Sequence, residues 1–167
     1  MAKTITFSLD SASIGRAVNE LEKYAEYVKE AMSLLAKELT AQGVQIAAVQ
    51  VQALGALDTG ELADSIDGYY SENYHTGFVF SKAPYAFFVE YGTGIVGSHA
   101  QHPGGEDWNV GWQYDVNEHG EAGWSYISDR DHKLHWTKGM VSRPFMYETY
   151  KELEQLSHRL AAEIFTS

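Results

Sequence analysis

Not one of the 167 residues is a cysteine, so neither a disulfide framework nor a thiolate metal site is open to this chain. Basic residues are scarce as well: 12 Lys and Arg stand against 23 Asp and Glu, for a formal net charge of −11. Affinity for duplex DNA comes largely from basic side chains that neutralise phosphates, so a free monomer is expected to bind DNA poorly. The same acidity suits the wall of a pore, where repelled phosphates slide without sticking. No apolar run approaches the roughly 20 residues that span a bilayer. Met1 to Asp10 lacks the basic start and long apolar core of a signal peptide. These absences lead to the expectation of a soluble protein that acts or assembles in a cytoplasm. What is present is ordinary globular material, 44% hydrophobic and 21% charged, in a length that supports one domain over 1–167 with a real core.

Ile5, Phe7 and Leu9 alternate at period two and predict a short strand over 4–9. Asp10, Ser11 and Ser13 offer oxygens to cap a helix. Apolar residues then recur three and four apart at Ile14, Val18, Leu21, Ala25, Val28, Met32, Leu35 and Leu39, and resume at Ile46, Val49, Ala53 and Leu57. This spacing predicts an amphipathic helix over about 11–57, continuous or kinked, with a break at Gln42-Gly43 as the alternative. Such a helix is too long to hide its stripe in one small domain, so part of it should pack on neighbouring subunits. Residues 61–66 read as a helical turn or an entry into a strand, and 68–74 with 76–81 as paired strands around a turn at His75-Thr76-Gly77. The run Ala83 to Tyr91 has Pro84 at its beginning. Residues 92–106 are expected to be a glycine-rich loop with little to bury. Trp108–Tyr114 and Trp124–Ile127 read as a hairpin with a polar tip, and 131–136 as strand or turn. Ser142 and Pro144 open a last helix over about 143–165, with Phe145, Thr149, Leu153, Leu156, Leu160 and Ile164 on one face. The sum is an α+β fold: a long N-terminal amphipathic helix, a small antiparallel β-sheet over about 66–137, and a C-terminal helix packed on the sheet.

Asp58-Thr59-Gly60 is the motif with which aspartic proteases pair two carboxylates around a water, and one copy per chain would require a homodimer. Two features argue against that reading: a long helix leads into the motif, and Glu61 follows where a small residue is usual. The alternative is a helix-breaking turn, with Asp58 or Thr59 capping the next element and Gly60 supplying a permissive dihedral. His99 with His102 and His132 with His135 are each three apart, but zinc sites need three or four ligands held by a second shell. Solvated or structural histidines are the simpler reading, and no cofactor is expected. Gly92-Thr93-Gly94 lacks the Lys-Ser/Thr of a phosphate-binding loop. Glu90 lacks an evident partner and reads as a surface carboxylate. No catalytic residues are assigned, and the expectation is not an enzyme.

Three segments taken in order resemble one family. They are Asp58-Thr59-Gly60-Glu61-Leu62-Ala63-Asp64-Ser65-Ile66, Ala83-Pro84-Tyr85-Ala86 through Val89-Glu90-Tyr91-Gly92-Thr93-Gly94, and Thr137-Lys138-Gly139-Met140 leading to Arg143-Pro144-Phe145-Met146. With the long helix before them and a variable loop between, they look like the tail-completion, or neck, proteins of long-tailed bacteriophages, also described as minor head–tail joining proteins. The resemblance implies a non-enzymatic virion protein, made in the host cytoplasm, that forms a ring between head-closure proteins and the tail terminator or tail tube. It also implies sixfold symmetry matching the tail, with double-stranded DNA passing through, no sequence-specific binding and no membrane. The resemblance implies the Tyr85–Gly94 segment as a strand. Leu21, Val28 and Leu35 on the helix stripe are the expected subunit contacts. A tail terminator or head-closure protein of the same neck is the alternative, with an Asp58-dependent protease or a metal hydrolase behind it.

Overall fold

The computed structural model describes residues 4–56, 59–108, 110–128 and 130–166. Helix α1 runs unbroken through Ser11–Ala53, started by the Asp10 carboxylate, which accepts from the Ser13 N–H at 2.9 Å. It ends earlier than the stripe suggests. Leu54 N–H closes back on the Gln50 carbonyl at 3.0 Å, and Gly55 turns left-handed at φ 64°. After it come α2 (Glu61–Asp64), the strands β1 (Ile66–Ser71) and β2 (Thr76–Ser81), then α3 (Ala86–Tyr91) and α4 (Gly94–His99). The strands β3 (Trp124–Ile127), β4 (Leu134–Thr137) and β5 (Gly139–Met140) lead to the last helix, α5 (Phe145–Thr166).

Gly43 does not break α1 because its missing side chain is what the tertiary structure uses. A Cβ there would stand 2.8 Å from Val79 Cγ2 and 3.0 Å from Leu153 Cδ1, so β2 and α5 both close on the helix at this point. The packing gained offsets the roughly 1 kcal/mol that glycine costs in a helix.

β1 and β2 form an antiparallel hairpin with Gly68 opposite Val79 and Tyr70 opposite Gly77. Tyr70 reaches α1, where its hydroxyl donates to Ser33 Oγ at 3.1 Å. On the opposite face Tyr69 and Phe78 stack with centroids 4.9 Å apart. A Cβ on Gly77 would overlap the Thr40 hydroxyl, which itself donates to the Ala36 carbonyl at 2.7 Å. Gly77→Ala is therefore expected to cost about 1–3 kcal/mol by lifting the hairpin from α1. Urea unfolding reads this directly, and an unchanged midpoint would mean the hairpin is not held at Thr40.

The core gathers Ala47 and Val51 of α1 with Leu62, Ile66, Ala83, Ala86, Val89 and Phe145. α5 runs antiparallel to α1: Gln50 Nε2 donates to Glu152 Oε2 at 3.1 Å near its start, and Tyr27 hydroxyl donates to the Ile164 carbonyl at 3.4 Å near its end. The α+β class stands, but the last helix meets the β1–β2 hairpin only through its first turns and lies for most of its length on α1.

Several local expectations are corrected. Residues 4–8 are irregular rather than a strand, because no edge lies alongside to pair them; Phe7 and Leu9 are exposed. There is no single sheet among the described residues but two separate hairpins, and β3 pairs with β4, not with 108–114. The turn of the first hairpin is Glu72–His75, with His75 at φ 48°. Ala86 to Tyr91 is helical rather than a strand, because Ala86, Val89 and Glu90 turn to the interior at helical spacing while Phe87 and Phe88 face out. The glycine-rich 92–106 segment holds α4 and a 3-10 turn, and it buries Gly92, Gly94 and Gly97.

The upper half of α1 is covered on one side only, where Ala17 and Ala31 are buried. Ile14, Val18, Leu21, Ala25 and Met32 share one face and are all exposed.

Candidate functional site

The densest polar arrangement grows from α3. Ala83-Pro84-Tyr85 brings the chain into the helix, with Ala86 N–H on the Ala83 carbonyl at 3.1 Å and Phe88 N–H on that of Tyr85 at 3.0 Å. One helical turn on, Glu90 points inward and is only 4% exposed. Its Oε2 accepts from the Met146 N–H at 2.9 Å, and its Oε1 accepts from the Tyr147 N–H at 3.1 Å. These are first-turn amides of α5, which have no partner inside their own helix and face the positive end of its dipole. Glu90 thus caps a helix more than fifty residues downstream. Ser142, expected in that role, donates its hydroxyl to the Glu90 carbonyl at 2.5 Å, and Arg143 N–H bonds the Val89 carbonyl at 2.8 Å.

His102 completes the cluster. Its Nε2 lies 3.0 Å from Glu90 Oε1, and its Nδ1 accepts from the Gly104 N–H at 3.1 Å. An Nδ1 that accepts fixes the proton on Nε2, so a neutral ring donates to the carboxylate. The ring is packed by Tyr91, Tyr147 and Trp108 with centroids at 4.8, 5.3 and 5.6 Å. Burial, with the Glu90 charge and Tyr114 adding to it, raises the Tyr91 phenol above its usual range. Its hydroxyl donates to the Trp108 carbonyl at 2.9 Å. An open cavity of about 380 Å³ beside it is lined by Tyr91, His102, Trp108, Trp112 and Tyr114.

Glu90 is therefore not the surface carboxylate expected. Both its oxygens and both ring nitrogens of His102 take part in these hydrogen bonds. The arrangement is a clamp joining α3, the 102–108 segment and α5.

A second junction locks the same region. Thr93 pairs with Met140 and Gly94 with Gly139 in an antiparallel bridge, and Met140 N–H also donates to Thr93 Oγ1 at 3.2 Å. Gly94 N–H bonds the Tyr114 carbonyl at 2.6 Å. Gly139 holds φ 105°, and a Cβ on it would overlap the Thr93 carbonyl. Further out, the Asp115 carboxylate accepts from the Gly120 and His119 amides, which lowers its pKa below the usual carboxylate value.

The motif and contact residues separate into three groups. Leu62, Tyr85, Glu90, Tyr91, Gly92, Thr93, Gly94, Arg143, Pro144 and Phe145 converge on the core and these two junctions, with Phe145 only 1% exposed. Thr59 is exposed and Gly60 turns at φ 89° just before α2; Asp58 lies outside the described residues. Leu21, Val28 and Leu35 sit apart on α1, Leu21 exposed and the other two half-buried. Leu21 precedes Ala47 by 26 residues, on the order of 40 Å along the helix. His99 and His132 are exposed, and His135 Nε2 lies 3.0 Å from Asp131. Among the described residues no three His, Asp or Glu are placed to hold a metal ion. The role of His102 escaped the sequence reading, and no local signal marked it.

A long helix, a hairpin laid on it and a short helix ending in Glu-Tyr-Gly make up the part of the chain that is similar to a known family. Residues 19–92 match the HK97-gp10-like family. Its description is "Bacteriophage HK97-gp10, putative tail-component". The HK97-gp10-like match runs from α1 through α3, so it takes in the exposed Leu21 as well as Glu90, and it agrees with the tail-completion resemblance carried by the motifs. It supports a structural phage protein. No curated protein and no solved structure matches the chain. No helix among the described residues is long and apolar enough to cross a membrane.

Proposed function

We propose that this chain is a non-enzymatic subunit of the phage neck, a tail-completion protein that assembles into a ring joining tail to head. The observation that carries the reading is the open apolar stripe Ile14, Val18, Leu21, Ala25 and Met32, within and just ahead of a segment that matches a tail-component family. A large apolar surface on a small protein is an association site or a hazard, and a ring of self-contacts removes it from water. Closed head-to-tail contacts give cyclic symmetry, and six copies match the expected tail. The partners on either side are head-closure proteins and the tail terminator or tail tube. With a net charge of −11 per chain, such a ring presents an acidic wall to DNA leaving the head.

Light scattering on purified protein, alone and with other tail proteins, tests this. Replacing Leu21 and Val28 with Asp is expected to abolish assembly while circular dichroism still reports a folded, helical monomer. Rings retained by that variant would remove α1 from the interface. A monomer under every condition would remove the ring itself.

A further inference from the structure

The cavity beside the Glu90 clamp holds about 380 Å³, at the small end of the roughly 300–1,000 Å³ typical of ligand pockets. One side of it is an aromatic wall. Trp112, Tyr91, His102 and Trp108 follow one another with successive ring centroids 5.5, 4.8 and 5.6 Å apart, and Tyr114 joins the lining. The polar edges of two of these rings are spent inside the chain. Tyr91 hydroxyl donates to the Trp108 carbonyl at 2.9 Å, and the Trp112 indole N–H donates to the Gly92 carbonyl at 3.0 Å. What such rings still offer a ligand is π surface, whose negative face attracts cations.

Charge points the same way. Glu106 lines the cavity, is exposed and has no ion pair among the described residues. Among those residues no Lys or Arg lines it. Behind the wall lies the Glu90 carboxylate, whose charge adds to burial in raising the Tyr91 phenol. A phosphate or carboxylate ligand would meet these acids with no cation to receive it. A cationic ligand would gain from the rings and from Glu106 together.

We propose that this cavity receives an arginine side chain of a partner protein, its guanidinium laid on the aromatic wall and paired with Glu106. A guanidinium is planar, stacks on aromatic faces and matches a carboxylate with a fork of donors, whereas an ammonium is a compact and strongly hydrated point charge. The chain's net charge of −11, with only four arginines in 167 residues, favours a basic partner over a second copy. The site goes beyond the joining role and stands whether or not copies of this chain form rings.

The four tryptophans supply the test, because each gives one indole N–H signal in a nitrogen–proton NMR spectrum. Trp108 and Trp112 line the cavity, and Trp124 and Trp136 do not. The full chain is titrated with N-acetyl-arginine amide and, separately, with its neutral isostere N-acetyl-citrulline amide. The arginine amide is expected to move the Trp108 and Trp112 signals and to leave the other two in place, with the citrulline amide binding about tenfold more weakly. Glu106→Gln alters an exposed side chain and should weaken arginine binding by roughly twofold to fivefold at an unchanged melting temperature. Equal affinity for the citrulline amide, equal shifts at all four indoles, or no shift up to the solubility of the arginine amide overturns the site. Unaltered binding by Glu106→Gln overturns the pairing. If the same two signals move when the wild-type chain alone is concentrated, the occupant is a second copy and the partner assignment falls.

Discussion

Glu90→Ala is expected to lower the stability of the folded chain by about 3–5 kcal/mol, the range for removing one partner of a buried charged network. The carboxylate is shared by the Met146 and Tyr147 amides and by His102. Its removal leaves two backbone donors and an imidazole N–H without acceptors inside an aromatic shell, as well as a void. For a chain of this size each kcal/mol moves the melting temperature by roughly 2–4 °C, so a fall of about 10 °C is anticipated. Hydrogen exchange separates the clamp from a general packing defect, because protection should vanish first at the amides of Met146 and Tyr147. Glu90→Gln keeps an acceptor but turns an amide donor toward donors, and about 1–3 kcal/mol is expected. If Glu90→Ala melts like the wild type, the clamp does not hold α5.

Gly139→Ala should cost about 3 kcal/mol, combining backbone strain of about 1–3 kcal/mol with a steric clash of similar size. A φ of 105° is a conformation that side chains resist, and the added Cβ would meet both the Thr93 carbonyl and Gly94 Cα. Relief requires opening the Thr93–Met140 and Gly94–Gly139 bridge, which ties α4 to the approach to α5. Thermal unfolding together with exchange at Met140, whose N–H donates to Thr93 Oγ1, reads both consequences. Full stability with the bridge intact would show that this backbone has more room than its geometry indicates.

Legibility in the sequence followed the range of the forces involved. The long helix was readable because its stripe repeats over many turns, and Asp10 caps it as a local oxygen should. The α+β order was readable for the same reason, whereas residues 61–66 stood open between a helical turn and an entry into a strand, and Glu61–Asp64 is the helical turn. Residues 4–9 alternate like a strand, but a strand needs a neighbouring edge, and alternation does not reveal whether one exists. Ala86-Phe87-Phe88-Val89-Glu90-Tyr91 is short and aromatic, and only its burial on two sides makes it a helix. Glu90 looked like a surface acid because its partners lie 12, 56 and 57 residues away. Gly77 and Gly43 carry no sign that a hydroxyl or a leucine will sit where a side chain would be. The segments that carry the family resemblance proved to be those at which distant pieces of chain are joined.

The Glu90 clamp also leads to an expected order of folding. As the chain is synthesised, α1, the first hairpin and α3 are complete before any of the acceptor's final donors exist. Until His102 and then Met146 and Tyr147 emerge, the carboxylate is best left in water, and α3 has little reason to turn inward. Contacts of long sequence separation carry a larger loop-closure cost and slow folding. The last helix is therefore expected to act as a latch whose docking buries Glu90 and brings Phe145 into the core, which pulse-labelled hydrogen exchange during refolding would check. A chain ended before residue 146 is expected to leave the Glu90 carboxylate without its two amide donors and to be cleaved faster in limited proteolysis than the full chain.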